Sequence, residues 1–200
     1  SSDLGADSFS AGIVNFTGVD LNDGNYYTLA TPPIELVISE IMYDSDSDEP
    51  DWEWLEIYNP GNTTVDLTGY ILDDDDNNAL TAANIASGSI SPNQTAILYN
   101  ADAITENDFT AAWGGGINLV GVSNWSQLNN TGDKIGLWSS VDRYSGDNEN
   151  HNNAIDTVDY SATDFPDGNG VSIYLSDLNS DNSIGTNWSV SSNGVTTPTG

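Results

Sequence analysis

The chain has no cysteine among its 200 residues, so no disulfide supports the fold. Stability has to come from a hydrophobic core, from sheet ladders and from any bound ions. Cations are almost as scarce. Lys134 and Arg143 face 31 Asp and Glu, a formal net charge of −29. A surface so negative repels phosphate backbones, which excludes nucleic acid as a partner on electrostatic grounds. No stretch approaches 18 consecutive apolar residues, so no membrane-spanning helix is written here. The chain opens on Ser1 without a charged n-region or an apolar h-region, and a matured or trimmed chain is expected. There are no heptads, no repeat of 20–50 residues and no long amphipathic helix.

Catalytic signatures are missing too. The sequence holds no Gly-x-Ser-x-Gly, no HExxH and no phosphate-cradling glycine loop. His151 is the one side chain with an ordinary pKa near neutrality, and it stands in an Asn-rich loop, where a lone histidine is more often solvated than catalytic. Glu40 and Glu56 form a possible carboxylate pair of the glycosidase kind, but their positions read as strand residues. No enzyme is expected.

What is present is β pattern. Residues 36–43 are apolar and β-rich, residues 44–51 form an acidic loop, and residues 52–58 alternate. The alternation puts Leu55 and Ile57 on one face and Trp54 and Glu56 on the other. Asn59-Pro60-Gly61-Asn62 is a turn cluster, and a third strand opens at Val65. Period-two runs separated by turns describe an antiparallel β-sandwich. Two hundred residues with six Trp and nine Tyr suffice for one sandwich with generous loops.

This stretch also carries a resemblance. Ile38-Ser39-Glu40-Ile41, then Trp54-Leu55-Glu56-Ile57-Tyr58-Asn59, then Val65-Asp66-Leu67-Thr68-Gly69-Tyr70-Ile71-Leu72-Asp73, resembles the opening of a lamin tail domain of the kind found in secreted bacterial proteins. Gly132-Asp133-Lys134-Ile135-Gly136-Leu137 resembles a later strand of the family. So do Asp156-Thr157-Val158-Asp159-Tyr160 and the closing Asn187-Trp188-Ser189 with Thr197-Pro198-Thr199-Gly200. The resemblance covers residues 34–200. It implies an all-β, immunoglobulin-like sandwich and carries no catalytic residue.

The domain reading is therefore an N-terminal β arm with a Pro-Pro linker over residues 1–33, and a sandwich over 34–200. Residues 1–11 read as an extended lead. The runs at 13–16 and 26–29, separated by the Asn22-Asp23-Gly24 turn signal, suggest a hairpin. The phrase from Gly18 to Thr31 resembles the closing strands of repeats in bacterial surface proteins. Further strands are expected at 95–99, 117–122, 133–139, 155–160 and 170–175. A helical turn or two is expected within 104–113, and a flexing polar loop over 143–153. The expected core is Leu55 and Ile57 with Ile38 or Ile41, Leu67, Ile71, Leu98, Leu137, Val158 and Ile173.

Three further patterns bear on binding. Alternating carboxylates in tight loops are candidate calcium ligands, because calcium takes six to eight oxygens: Asp44, Asp46, Asp48 and Asp51, then Asp73 and Asp75, then Asp177, Asn179 and Asp181. The last loop lacks the Glu expected twelve positions on, where Trp188 stands. Sequons at Asn15, Asn62, Asn93, Asn124, Asn129 and Asn187 are candidate glycosylation sites. Trp125 and Trp52, beside loops, are candidate sugar platforms. An arm of one or two strands is not stable alone; Ile13, Phe16, Tyr27 and Leu29 are candidates for docking on a neighbour's sandwich. The functional expectation is a secreted or cell-surface, bacterial structural protein, a subunit of a homopolymeric filament built by strand exchange of the arm. The alternative is a calcium- or carbohydrate-dependent adhesion module of a larger secreted protein.

Overall fold

The computed structural model describes residues 8–10 and 13–15 by their backbone, and residues 36–46, 48–74, 78–147 and 150–191 in full. The chain divides into two compact units, Ser1–Pro33 and Ile34–Gly200. In the first, β1 (Ser8–Ser10) pairs antiparallel with β2 (Ile13–Asn15), Ser8 opposite Asn15. Residues 8–10 are thus a strand rather than part of an extended lead. The Asp23-Gly24 turn, Phe16, Tyr27 and Leu29 lie outside the described residues.

The second unit is a sandwich. Its strands are β3 (Val37–Met42), β4 (Trp54–Tyr58), β5 (Val65–Asp66), β6 (Ile71–Asp73), β7 (Ser89–Ile90), β8 (Thr95–Asn100), β9 (Leu119–Val122), β10 (Gly132–Trp138), β11 (Asp156–Ser161), β12 (Ile173–Leu175) and β13 (Trp188–Val190). Six of them form one sheet in the order β13-β12-β3-β4-β8-β9, three form the other in the order β11-β10-β6, and β5 pairs with β7 alone. The pairings are antiparallel except the last of the large sheet, where β9 runs parallel to β8. The intervening helix α1 (Glu106–Trp113) makes that crossover possible, since parallel neighbours need a long return.

The main core lies between the two sheets. Leu55, Ile57, Leu98 and Ile173 from the large sheet meet Ile135, Leu137, Val158 and Leu72 from the small one. Both Ile38 and Ile41 enter it, although they are three apart and period two would send them to opposite faces. A register shift between Ile38 and Glu40 explains this. The irregularity inserts a residue and returns Ile41 to the inner face. Ile71 departs from the expected core. It packs on the outer side of the small sheet with Trp138 and Tyr144, beneath α2 (Val141–Tyr144).

The outer face of the large sheet has its own apolar layer. Met42, Trp54, Ile97 and Tyr99 project from the sheet and are covered by Phe109 of α1, with Trp113 packed alongside. The helix starts where the sequence provides a capping box. The Thr105 hydroxyl accepts from the Asp108 N–H, and the Asp108 carboxylate accepts from the Thr105 N–H at 2.9 Å. Gly136 marks one close approach: a Cβ there would collide with the ring of Trp138. Truncating Leu55 or Leu137 to Ala should cost about 2–5 kcal/mol in unfolding free energy, read from denaturant midpoints at constant slope. An unmoved midpoint in both variants would rule this core out.

Candidate functional site

The large sheet ends in β9 and β13, the small sheet in β6 and β11. Two of these edges are met by one residue. The Asn84 side chain accepts from Leu72 N–H at 3.0 Å and donates to Leu72 C=O at 2.7 Å, as a neighbouring strand would do for β6. Its backbone carbonyl accepts from Ser123 N–H just past β9, and Ile85 bridges to Val122. β13 is three residues long. The six residues of β11 remain, and among the described residues no strand pairs with their outer side. A polar groove lined by Asp74, Gln127, Asp133, Lys134, Asp159 and Tyr160 runs beside this edge. Asp159 is exposed, whereas Val158 and Tyr160 are buried.

The start of β11 is fixed to the other sheet. Where β12 diverges from β3, the Ile38 N–H donates to Asp156 Oδ2 at 2.6 Å, and Asn182 Nδ2 donates both to that oxygen at 2.7 Å and to Ile38 C=O at 3.0 Å. At the far end of β11, Tyr160 donates to Asn129 C=O at 2.8 Å and stacks on Tyr43 at 4.6 Å. The inward residues of β11 thus differ in what they do. Asp156 joins the sheets, Val158 fills the core and Tyr160 anchors a loop.

A family model for the lamin tail domain matches residues 14–162. The chain belongs to the lamin tail domain family. No curated protein and no solved structure matches it. The family is structural and immunoglobulin-like. Residues 163–191, with β12 and β13, complete the large sheet of this lamin tail domain beyond the matched span.

The other candidate residues fall as follows. Glu40 and Glu56 stand opposite each other on β3 and β4, each at most 2% exposed. Ser172 Oγ donates to Glu40, and Ser39 Oγ donates to Glu56 Oε1 at 2.7 Å. They are a buried pair in the middle of a sheet. His151 is 4% exposed rather than solvated, its ring edge-on to Trp138 at 4.8 Å and its Nδ1 3.2 Å from Thr157 Oγ1. The loop around it is held by Asp147, which accepts from Trp138 Nε1 at 3.0 Å, Asn152 N–H at 3.1 Å and Asn153 N–H at 2.7 Å. Burial alone would raise the Asp147 carboxyl, and these donors bring it below the usual range.

The calcium candidates are not drawn to a common centre. Among the described residues no three carboxylates or imidazoles gather in a group able to hold a metal ion. Asp177 and Asp181 close local turns, accepting from Asn179 N–H at 2.9 Å and Ser183 N–H at 3.0 Å. Asp73 accepts from Ser126 Oγ at 2.6 Å and from the Tyr144 hydroxyl. Asp44 shares the Asn130 amide with Glu49. Asp46 and Asp48 are exposed, Asp51 is half-buried, and Asp75 lies outside the described residues. Trp125 is no platform: its Nε1 donates to Glu53 at 2.8 Å and its ring packs on the main core. Trp52 does form an aromatic pair, 5.4 Å from Trp113.

Glu53 is not singled out by sequence pattern. It is fully buried, and its Oε2 accepts from Trp125 and from Leu128 N–H at 2.9 Å, while its Oε1 has no partner among the described residues. Burial, reinforced by Glu49 and Asp133, pushes its carboxyl up to about 7. Burial, with Glu40 opposite, does the same to Glu56, also to about 7. Both groups therefore bind a proton more tightly folded than unfolded. Their stabilising protonation is complete below pH 4.5, the ordinary value, and is lost as pH rises through about 7. Unfolding free energy should fall across that window by on the order of 3 kcal/mol per group. Glu53→Gln and Glu56→Gln should each flatten the profile, a result that general charge repulsion would not give. Stability rising from pH 5 to 7 would overturn the assignment.

Proposed function

We propose that this lamin tail domain is a non-enzymatic structural protein of the cell exterior, a subunit that polymerises by placing its N-terminal arm on a neighbour. The observation that carries the reading is the division of the chain at Pro33–Ile34 into two units, the first holding its own short strand pair, beside a sandwich with a six-residue edge strand. Strand addition satisfies an edge's unpaired backbone groups and gives a short β segment the neighbours it needs. Repeated head to tail, such a contact builds an open fibre. The non-enzymatic part is supported by the enclosure of Glu40 and Glu56 and by the packing of His151 against Trp138. The acidic, Lys-poor, Asn-rich composition suits an exterior location.

Removing residues 1–31 tests this. The reading expects full-length protein to form fibres in negative-stain images, and the truncated protein to stay folded and monomeric. Added arm peptide should cap growing ends and shorten the fibres. A full-length chain that stays monomeric at high concentration, with a truncation that melts at the same temperature, would remove the proposal. A truncation that melts lower and aggregates would instead assign the arm to its own sandwich.

A further inference from the structure

The sequons differ sharply in what the fold has done with them. Asn129, Asn130 and Thr131 are exposed, but the sequon is held through its backbone: Asn129 N–H donates to Asp133 at 2.9 Å and Asn129 C=O accepts from the Tyr160 hydroxyl at 2.8 Å, while Asn129 Oδ1 accepts from Thr131 N–H at 3.0 Å and Thr131 Oγ1 at 2.8 Å. The Asn187 amide donates to Asp181 C=O at 2.8 Å, and its Ser189 hydroxyl meets Ser176 at 2.8 Å within β13. The sequon of Asn124 is held at its last residue, because Ser126 donates to Asp73 at 2.6 Å, and its middle residue Trp125 is tied to Glu53. Asn93 is exposed, but its sequon runs into the sheet, where Thr95 is half-buried as the first residue of β8. The side chain of Asn15 lies outside the described residues.

Asn62-Thr63-Thr64 is different. All three residues are exposed and pair in no strand, and, unlike those of Asn129 and Thr131, their side chains make no hydrogen bond among the described residues. The segment projects from a fixed base. Buried Asn59 donates from Nδ2 to Thr63 C=O and Ile90 C=O, both at 2.9 Å, and accepts at Oδ1 from Gly61 N–H at 2.9 Å. The turn can therefore enter an enzyme's site without unfolding the sandwich, and a change at its tip leaves the base intact. Across β3 and β4 the turn stands at the end where β3 begins, since Val37 pairs with Tyr58.

We infer that Asn62 is the N-glycan acceptor of the folded lamin tail domain, and that the fold withholds the sequons of Asn93, Asn124, Asn129 and Asn187. The donor is a polyprenyl-diphosphate-linked oligosaccharide. The Asn62 amide nitrogen bonds to the anomeric carbon, the bond from that carbon to the diphosphate oxygen breaks, one amide proton is lost, and the lipid diphosphate leaves. Accessible amide, accessible hydroxyl two residues on, and a backbone free of ladder bonds are the features such a transfer needs.

The test uses the folded full-length chain with an oligosaccharyltransferase and its lipid-linked donor, and maps occupancy by mass spectrometry. Short peptides around each sequon serve as the unfolded comparison. Occupancy at Asn62 should exceed that at Asn93, Asn124, Asn129 and Asn187 by at least tenfold on the folded chain, while the peptides are accepted to similar extents. Asn62→Gln and Thr64→Ala should each abolish that signal without moving the melting temperature. Two results would overturn the inference: no modification at Asn62 under conditions that modify its peptide, or equal occupancy at Asn93 or Asn124 on the folded chain.

Discussion

Among the described residues the enclosed carboxylates are met largely by neutral donors, and much of the loop structure follows from that. With Lys134 and Arg143 the only Lys and Arg against 31 Asp and Glu, and His151 the one histidine, ion pairs cannot satisfy every acid. Neutral donors do it instead. Asp147 takes an indole and two backbone N–H groups, Asp156 takes a backbone N–H and an amide, Asp73 takes two hydroxyls, and Glu53 takes an indole and a backbone N–H. A hydrogen bond to a charged acceptor is worth more than a neutral one, and an unmet buried carboxylate is costly. Each such centre therefore ties down the segment that supplies its donors. Asp147 closes the loop over Trp138, Asp156 joins the two sheets, and Glu53 draws residues 125–128 onto the end of the sandwich. In a chain without disulfides these centres occupy the positions where cross-links would otherwise restrain long connections. Glu53 and Glu56 are the places where donors run short, and there the proton itself becomes the partner.

How much of this the sequence discloses depends on the range of the interaction. The strands at 37–42, 54–58, 95–100, 132–138 and 156–161 are legible because apolar alternation is a local property and burial of one face enforces it. The inward placement of Leu55, Leu98, Leu137 and Val158 follows in the same way. The register shift before Glu40 is not legible, since it depends on what the facing strand offers. With it goes the choice between Ile38 and Ile41, which resolves to both. Ile71 reads as core by pattern, but β6 pairs with β10 in a register that puts Trp138 opposite it, and so turns it to the outer cluster. The helix at 106–113 is written locally in Thr105 and Asp108, whereas the apolar layer it covers comes from three separate strands.

The functional residues divide along the same line. The loop of His151 has the composition of a flexing segment, because Asn, Gly and Asp are what turns use. Here those residues spend their backbone donors on Asp147, so composition describes the conformation and misses the order. Carboxylates in alternation suggest a calcium loop only when their neighbours leave them free. Asp177 and Asp181 instead close their own turns, a use that Asp shares equally. Asn59 and Asn84 show the converse. Nothing local distinguishes them from other asparagines, yet Asn84 serves β6 as a substitute strand neighbour and Asn59 ties its turn to Ile90 and Ser91, through backbone groups 12 to 32 residues away.

The charge of this domain bears directly on how copies of it can meet. Two sandwiches approaching edge to edge would bring Asp159 of one β11 toward Asp159 of the other, with Asp133 nearby in both grooves. Strand pairing acts at about 4.8 Å, inside the screening length of about 8 Å at physiological salt, so that repulsion acts at contact, reduced by Lys134, which stands opposite Asp159 on β10. An outward charge on an exposed edge is a known device against indiscriminate sheet extension. Residues 8–15, Ser-Phe-Ser-Ala-Gly-Ile-Val-Asn, hold no charge at all. A neutral segment pairing with β11 would meet no such opposition. The same acidic edge therefore disfavours one kind of self-association and leaves the other open, a selectivity that an apolar edge would lack.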